Sequence, residues 1–350
     1  MPVDERRALT ERLRAHAYGL GFDLVGITTL GAPGTLDAYD AWLDAGYHGT
    51  MQYMAGDGAA LRADTRQPHP GATHAIVVGM NYGGREPSGP IARYARGDDY
   101  HDVLRERLRE LHRWLEAATG QSINARPYVD SAPILERDLA QQAGLGWFGK
   151  NTMLINPRIG SFFFLGSLFV EHELVPDAPF EVDRCGTCTR CLDACPTQAF
   201  TTPRVLDARM CISYLTIELR EAIDEALRLR VGDHLYGCDV CQEVCPWNVR
   251  FATHLREPSF APRAGLDTTD ARQLSTQLLA LSPNNFSAQF KNSAMKRAKR
   301  RGLARNAAVV LGNVGAIEDA ASLEVAVGHD EPIVGEHAAR ALEHLHARFR

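Results

Sequence analysis

The 350-residue sequence predicts an α+β protein in three parts, and three observations carry that reading. Helical and extended segments alternate from Asp4 to Val170, every cysteine lies between Cys185 and Cys245, and beyond Pro262 alanine recurs with leucine or valine at helical spacing. The expected boundaries are an α/β domain over 1–174, a cysteine module over 175–260 that opens on Val175-Pro176-Asp177-Ala178-Pro179, and a helical domain over 261–350.

In the first part, helices are expected at Asp4–Tyr18, Leu36–Ala45, Tyr100–Ala118 and Pro133–Gln142. The third carries Leu104, Leu108, Leu111 and Leu115, a stripe for one helix face. Strands are expected at Asp23–Ile27, Ala75–Met80, Ile123–Val129, Thr152–Ile155 and Ser161–Val170, with glycine-rich turns at 81–84 and 144–151.

The cysteines read Cys185-x2-Cys188-x2-Cys191-x3-Cys195-Pro196, then Cys211, then Cys238-x2-Cys241-x3-Cys245-Pro246. In bacterial two-cluster ferredoxins three cysteines of a run hold one cubane and the fourth, before a proline, reaches to the other. Cys185, Cys188, Cys191 and Cys245 are then expected on one [4Fe–4S] cluster, and Cys195, Cys238 and Cys241 on the second, with Cys211 completing it. The module is thus ferredoxin-like. Two zinc sites of four cysteines each would share the Cys-x2-Cys pairs but need neither the three-cysteine run nor the Cys-Pro ending. Disulfide scaffolds belong to short secreted chains, and Met1–Arg14 is charged, with no apolar h-region. The longest apolar stretch, Ser161–Val170, is too short to span a bilayer, so a cytoplasmic protein without a membrane partner is expected.

The helical part pairs Arg305–Val314 with Glu336–Leu345 around a short helix in Ala316–Val327, which suggests a HEAT-like repeat, with a small bundle as the alternative. Net charge is −5, yet Lys291, Lys296, Arg297, Lys299, Arg300, Arg301 and Arg305 form a run with no acidic residue. Such a run is either a solvated face or a polyanion site. Phe286 and Phe290, just before it, either stack on bases or fill the core. Gly144-Leu145-Gly146-Trp147-Phe148-Gly149 has dinucleotide spacing but follows a helix, where the fingerprint needs a strand, and no Walker A sequence exists.

The segment Tyr128-Val129-Asp130-Ser131-Ala132-Pro133-Ile134-Leu135-Glu136-Arg137, then Gly146-Trp147-Phe148-Gly149-Lys150-Asn151-Thr152, then the cysteine array, resemble the epoxyqueuosine reductase family, with Ile91–His101 before them and the helical tail after. The resemblance implies an N-terminal cobalamin domain related to reductive dehalogenases, two [4Fe–4S] clusters fed by an external low-potential electron donor, and a tRNA substrate carrying epoxyqueuosine at its wobble position. It implies base-off cobalamin without a histidine ligand. Here the nearest approach to a cobalt-binding Asp-x-His-x-x-Gly is Asp99-Tyr100-His101-Asp102-Val103-Leu104, which ends in leucine. A monomer is expected.

The resemblance makes Asp130 the proton donor to the epoxide oxygen, which would require a raised pKa. Alternatively Asp130 or Ser131 caps the helix beginning near Pro133. Glu136 and Arg137 would orient the acid or pair with neighbours. Tyr53, Arg93, Lys150, Asn151, Ser213, Asp239 and Gln242 are the implied cofactor contacts; Lys150 is otherwise a surface lysine, and Ser213, Asp239 and Gln242 otherwise support the cysteine loops. A related reductase with another substrate would not need the basic tail. An electron carrier would need neither the long first domain nor an acid at Asp130, and a nucleic-acid-binding repeat protein would bind tRNA without a corrin.

Overall fold

The computed structural model describes residues 2–350. Strands β1 (Leu24–Thr29), β2 (His74–Asn81), β3 (Ala125–Tyr128) and β4 (Phe163–Val170) form one sheet in the order β1-β2-β4-β3, and every neighbouring pair is antiparallel. The expected α/β domain is therefore an antiparallel sheet between helices. The alternation of elements misleads here for a physical reason. Strand β2 has helices on both faces: Ile76, Val78 and Met80 pack with Leu9, Leu13 and Leu104, while Ala75 and Val77 pack with Ile134, Leu139 and Ala140. A strand covered twice reads as an unbroken apolar run, which is also what a parallel strand shows.

The helix Tyr100–Thr119 follows its sequence pattern, burying Leu104, Leu108, Leu111 and Leu115. Asp99 caps it by accepting the His101 N–H at 3.1 Å, and Gly120 ends it at φ 67°, a left-handed conformation that glycine adopts without strain. Two expectations change. Leu154–Ile155 stays out of the sheet and pairs with Trp147–Phe148 in a separate ribbon. The helix expected from Pro133 begins at Glu136, because Ser131 N–H and Ile134 N–H close turns onto Val129 O (2.6 Å) and Ala132 O (2.8 Å). Its N-cap, Leu135, makes no side-chain bond, so neither Asp130 nor Ser131 caps it.

Helices Ala271–Leu279, Lys299–Val314, Ala320–Val327 and Pro332–Arg348 form the C-terminal layer. Lys299–Val314 is central and is buried from Gly302 to Gly312. A Cβ on Gly312 would lie 2.9 Å from that of Ala341, so only glycine permits this close helix approach. The same core takes in Ile91, Ala95, Leu235 and Tyr236, which joins the C-terminal layer to the cysteine module and to the segment before Tyr100. Phe286 and Phe290 lie within this core, which removes base stacking from their roles.

Arg305 is also inside, at 1% exposure, and donates to the carbonyls of Leu219 (2.9 Å) and Glu221 (2.7 Å) and to that of Leu215. It therefore leaves the expected basic surface and becomes a bolt. Its partners lie within and just after the π-helical turn Tyr214–Glu218 that follows Cys211. Arg305→Met leaves those carbonyls unpaired and is expected to cost about 3 kcal/mol, read as a lower urea midpoint at unchanged slope.

Candidate active site

Asp130 follows β3 at φ 55°, at the centre of the turn closed by Ser131 N–H on Val129 O. Positive φ is uncommon for a residue other than glycine and marks a backbone held by its surroundings. The Asp130 N–H donates to Glu136 Oε1 at 2.7 Å. Its carboxylate oxygen Oδ2 accepts from the Tyr100 hydroxyl at 3.0 Å and lies 3.2 Å from His101 Nε2. The other ring nitrogen, Nδ1, lies 2.6 Å from Asp99 Oδ1. Tyr100 is itself fixed by stacking on Phe164, with centroids 4.3 Å apart.

Burial pushes the Asp130 carboxyl up, but hydrogen bonds from His101 and Tyr100, with the charges of His101 and Arg297, outweigh it and hold the group below the usual carboxylate range. This is opposite to the raised value expected for a resting acid. Protons are instead held beside it. Burial alone would lower the His101 imidazole, yet hydrogen bonding to Asp130 and Asp99 raises it to about 9. Glu136 is pushed up to about 8, first by burial and then by the negative charge of Asp130.

The Asp130 side chain is 62% exposed and Arg137 is also exposed, yet burial is the leading influence on each, lowering Arg137. Side chains that water reaches while protein crowds them on the other sides form a concave, solvent-open surface. Half-buried Tyr94 and Tyr100 lie beside it with ring centroids 6.2 Å apart; Tyr94 is backed at the same distance by the buried Tyr236, and Gly237 packs on Ala92 and Tyr94. Cys238 comes next in the chain. Tyr53, 51% exposed, faces the same space beneath the Arg297 guanidinium, and Arg297 is held by both carboxylate oxygens of Glu218.

Cysteines of the separate runs come close to one another in space. The Cys191 thiol is raised to about 11 by burial, then by Cys245, Cys185 and Cys188. Cys238 is raised to about 12, again by burial first, with Cys211 and Cys195 adding to it. Backbone amides already point at sulfur: Ala199 N–H meets Cys195 Sγ at 3.3 Å, while Cys211 accepts from Ser213 and Tyr214, and Cys245 from Trp247 and Asn248. Such donors stabilise thiolate and tune a cluster.

The other sequence-selected residues lie beside the cysteine-bearing loops. Arg93 and Asp239 are buried against each other, Arg93 N–H and Nη1 meeting Asp239 Oδ2 at 2.9 and 3.1 Å, with Glu243 at 2.7 Å. Gln242 accepts from Ser161 Oγ, Asn151 donates to Cys241 O at 3.1 Å, and Lys150 donates to Gly186 O at 2.7 Å. Ser213 hydrogen-bonds the Cys211 thiol. Each of these contacts a cysteine-bearing loop, whereas Tyr53 stands exposed on the concave surface near Asp130.

The basic run divides. Lys291, Lys296, Lys299 and Arg301 are exposed, but Arg297 is paired with Glu218 and Arg300 with Asp330 and His329. Arg220, remote from the run in sequence, joins it in space: the charges of Arg297 and Arg301 both bear on it.

Residues 184–248 match the family model described as 4Fe-4S double cluster binding domain, and residues 62–131 match the one described as epoxyqueuosine reductase QueG, DUF1730. Over 322 residues the chain is 43% identical to an epoxyqueuosine reductase of Salmonella typhimurium, covering 89% of this chain and 82% of that one. Against the Escherichia coli epoxyqueuosine reductase it is 41% identical over 351 residues, 97% and 90% of the two chains. The chain belongs to the epoxyqueuosine reductase family. An epoxyqueuosine reductase solved with an epoxyqueuosine-modified tRNA-Tyr stem loop superposes at TM-score 0.85 and 30% identity, over 97% of this chain and 90% of that one. The Bacillus subtilis epoxyqueuosine reductase, solved with its catalytic aspartate loop swung out of the active site, gives 0.82 and 29% over the same shares. In this family member the first matched segment holds all eight cysteines, and the second holds Asp99, Tyr100, His101 and Asp130. Sequence reasoning missed His101 as part of the site. The signal for it was an Asp-x-His at a helix start. No helix among the described residues is long and apolar enough to cross a membrane.

Proposed function

We propose that this oxidoreductase reduces epoxyqueuosine to queuosine at the wobble position of tRNA, releasing the epoxide oxygen as water at the expense of two electrons and two protons. The observation that carries the reading is the exposed Asp130 carboxylate held by Tyr100 and His101, with Tyr94 packed between Tyr100 and the Gly237–Cys238 loop, in a chain of this family. Cobalamin, held base-off, is the cofactor proposed for it. The exposed Tyr53 and half-buried Tyr94 and Tyr100 near Asp130 suit a large flat ring, and both nitrogens of His101 are engaged by carboxylates, which leaves no imidazole lone pair for cobalt. When bound, the cofactor would supply a low-valent cobalt nucleophile and reductant for the epoxide. Asp130 would protonate the leaving oxygen, Tyr100 would hold its carboxyl in place, and Tyr53 with Arg297 would border the substrate entrance.

Cys185, Cys188, Cys191 and Cys245 are the proposed ligands of one cluster and Cys195, Cys211, Cys238 and Cys241 those of the other. Electron entry follows from their surroundings. Gly186, Thr187, Thr189 and Arg190 around the first set are exposed, while Asp239 and Gln242 beside Cys238 and Cys241 are buried. An external low-potential donor would therefore load the first set, and the second would hand electrons to the site around Asp130. The HEAT-like reading of the C-terminal layer belongs to the same proposal, as a platform for the anticodon arm of tRNA, with the protein acting as a monomer.

The test is an anaerobic assay of the cluster-loaded chain with cobalamin, a strong reductant and epoxyqueuosine-containing tRNA, reading nucleosides by mass spectrometry. Loss of one oxygen only when cobalamin is present is the expected result; no loss with clusters and corrin in place would reject the substrate. The tRNA surface is checked separately. Replacing Lys291, Lys296, Lys299 and Arg301 by Gln should weaken tRNA binding and reduce the magnitude of its log–log salt slope by about 0.7–0.9 for each phosphate no longer neutralised. Arg300→Gln, which breaks an internal pair, should leave that slope unchanged.

A further inference from the structure

We infer that His101 is the proton source for Asp130, with Asp99 as its positioning residue, so that the acid at the epoxide is a shared His101–Asp130 proton reloaded from solvent through the imidazole. This inference rests on the proposed reduction and concerns how its protons arrive.

Asp99 Oδ1 lies 2.6 Å from Nδ1 and Asp130 Oδ2 lies 3.2 Å from Nε2 of the same ring. Ionised carboxylates only accept, so both contacts are satisfied when both ring nitrogens carry hydrogen. If the Nε2 proton moves to Asp130, the contact survives with its polarity reversed: Asp130 then donates to Nε2, and Asp99 still holds Nδ1–H. Asp99 thus fixes the tautomer that makes the move reversible, as a carboxylate does for the base of a catalytic triad. Asp99 is itself anchored, because the same Oδ1 accepts the His101 backbone N–H at 3.1 Å as the helix cap.

The chemistry needs such a source. Breaking the two C–O bonds of the epoxide and forming the alkene takes two electrons, which the clusters supply through the cofactor, and two protons, which leave with the oxygen as water. Asp130 carries one proton at a time and rests ionised among His101, Tyr100 and Arg297. It must therefore be loaded before the first transfer and reloaded before the second. His101 is the hydrogen-bonded group able to do this, and its side chain is 23% exposed, which gives solvent access. Tyr100 also donates to Asp130 but rests far above its ordinary range, driven by burial first and then by Asp130, so it holds its proton. Glu136 touches the Asp130 backbone N–H, which cannot carry the reaction proton.

The charged groups facing the pair define its pH behaviour. Asp99 and Asp130 favour the imidazolium, Arg105 acts on Asp99, Arg297 acts on Asp130, and Glu136 is held largely neutral near pH 7 by burial and by Asp130. A raised histidine keeps its proton through neutrality and loses it as pH rises through about 9, so turnover should fall on the alkaline side.

The experiment compares wild type, His101→Gln and Asp99→Asn as full-length, cluster- and corrin-loaded protein, with absorption spectra confirming equal loading. Two measurements are made: single-turnover deoxygenation against pH, and NMR titration of labelled histidine in the cofactor-free chain. His101→Gln should lower the rate by about 10²–10³ with KM for tRNA little changed. Asp99→Asn should move both the histidine titration and the alkaline limb to lower pH together. A His101→Gln rate equal to wild type, or an Asp99→Asn limb that stays in place while the histidine titration moves, would overturn the inference while leaving the reaction established. If wild type itself deoxygenates nothing, the proposed function fails, and the titration still decides the pair: a His101 that titrates at its ordinary value, unmoved by Asp99→Asn, overturns it.

Discussion

Asp130→Asn is expected to lower deoxygenation by about 10²–10⁴, or roughly 3–5 kcal/mol of barrier, while iron content and tRNA affinity stay near wild type. The amide keeps an oxygen for the Tyr100 hydroxyl and the same backbone N–H for Glu136, so the turn at φ 55° has its supports. What it loses is a group able to take a proton from His101 and release it. The loss should appear in kcat rather than in KM. It should also alter His101, since the charge and hydrogen bond of Asp130 help to hold that imidazole at about 9. A histidine titration displaced towards neutrality in the variant would show that the aspartate acts on its neighbour as well as on the substrate. Normal turnover in Asp130→Asn would remove it from the acid role altogether.

Cys211→Ala is expected to abolish turnover by removing one cluster and leaving the other. Iron should fall from about eight to about four atoms per chain, with one of the two sets of reduction features lost. Cys211 stands outside both cysteine runs, 16 residues after Cys195 and 27 before Cys238, a separation that follows directly from their numbers. Its place in the structure is nevertheless close to Cys195, whose charge bears on it, and it shapes the start of the π-helical turn that Arg305 anchors. Because cluster binding contributes to folding, the variant should also melt at lower temperature than wild type. Cys185→Ala should lose the outer cluster instead, retaining a site that a strong chemical reductant can still reach through the inner one. Equal iron loss in both variants, down to none, would show that the two sets fold as one unit.

Several features were legible because they are local. Three cysteines within seven residues, followed by the Cys195-Pro196 step, mark a double cluster binding domain wherever the rest of the chain goes, and the heptad-like leucines of Tyr100–Thr119 need only a covering sheet. The antiparallel order of the sheet was not legible. A run such as Ala75–Met80 reports that both faces are buried and says nothing of the direction of its neighbours. The division of the basic run was hidden for a related reason. Arg305 and Arg301 look alike in sequence, but helix phase turns one into the core beneath the Tyr214–Glu218 turn and leaves the other in water.

Asp130 was singled out as the candidate acid by its motif, whereas its protonation was not legible there. Sequence places Asp130 in a short segment before a helix; only folding brings the start of helix Tyr100–Thr119 beside it, so that an imidazole 29 residues earlier meets its carboxylate at 3.2 Å. Ligand type and spacing are written along the chain because covalent geometry limits what neighbouring residues can reach. Proton affinity depends on which charges and how much water surround a group. Those are set by residues distant in sequence, and the packing of Asp99, His101 and Glu136 around Asp130 supplied them.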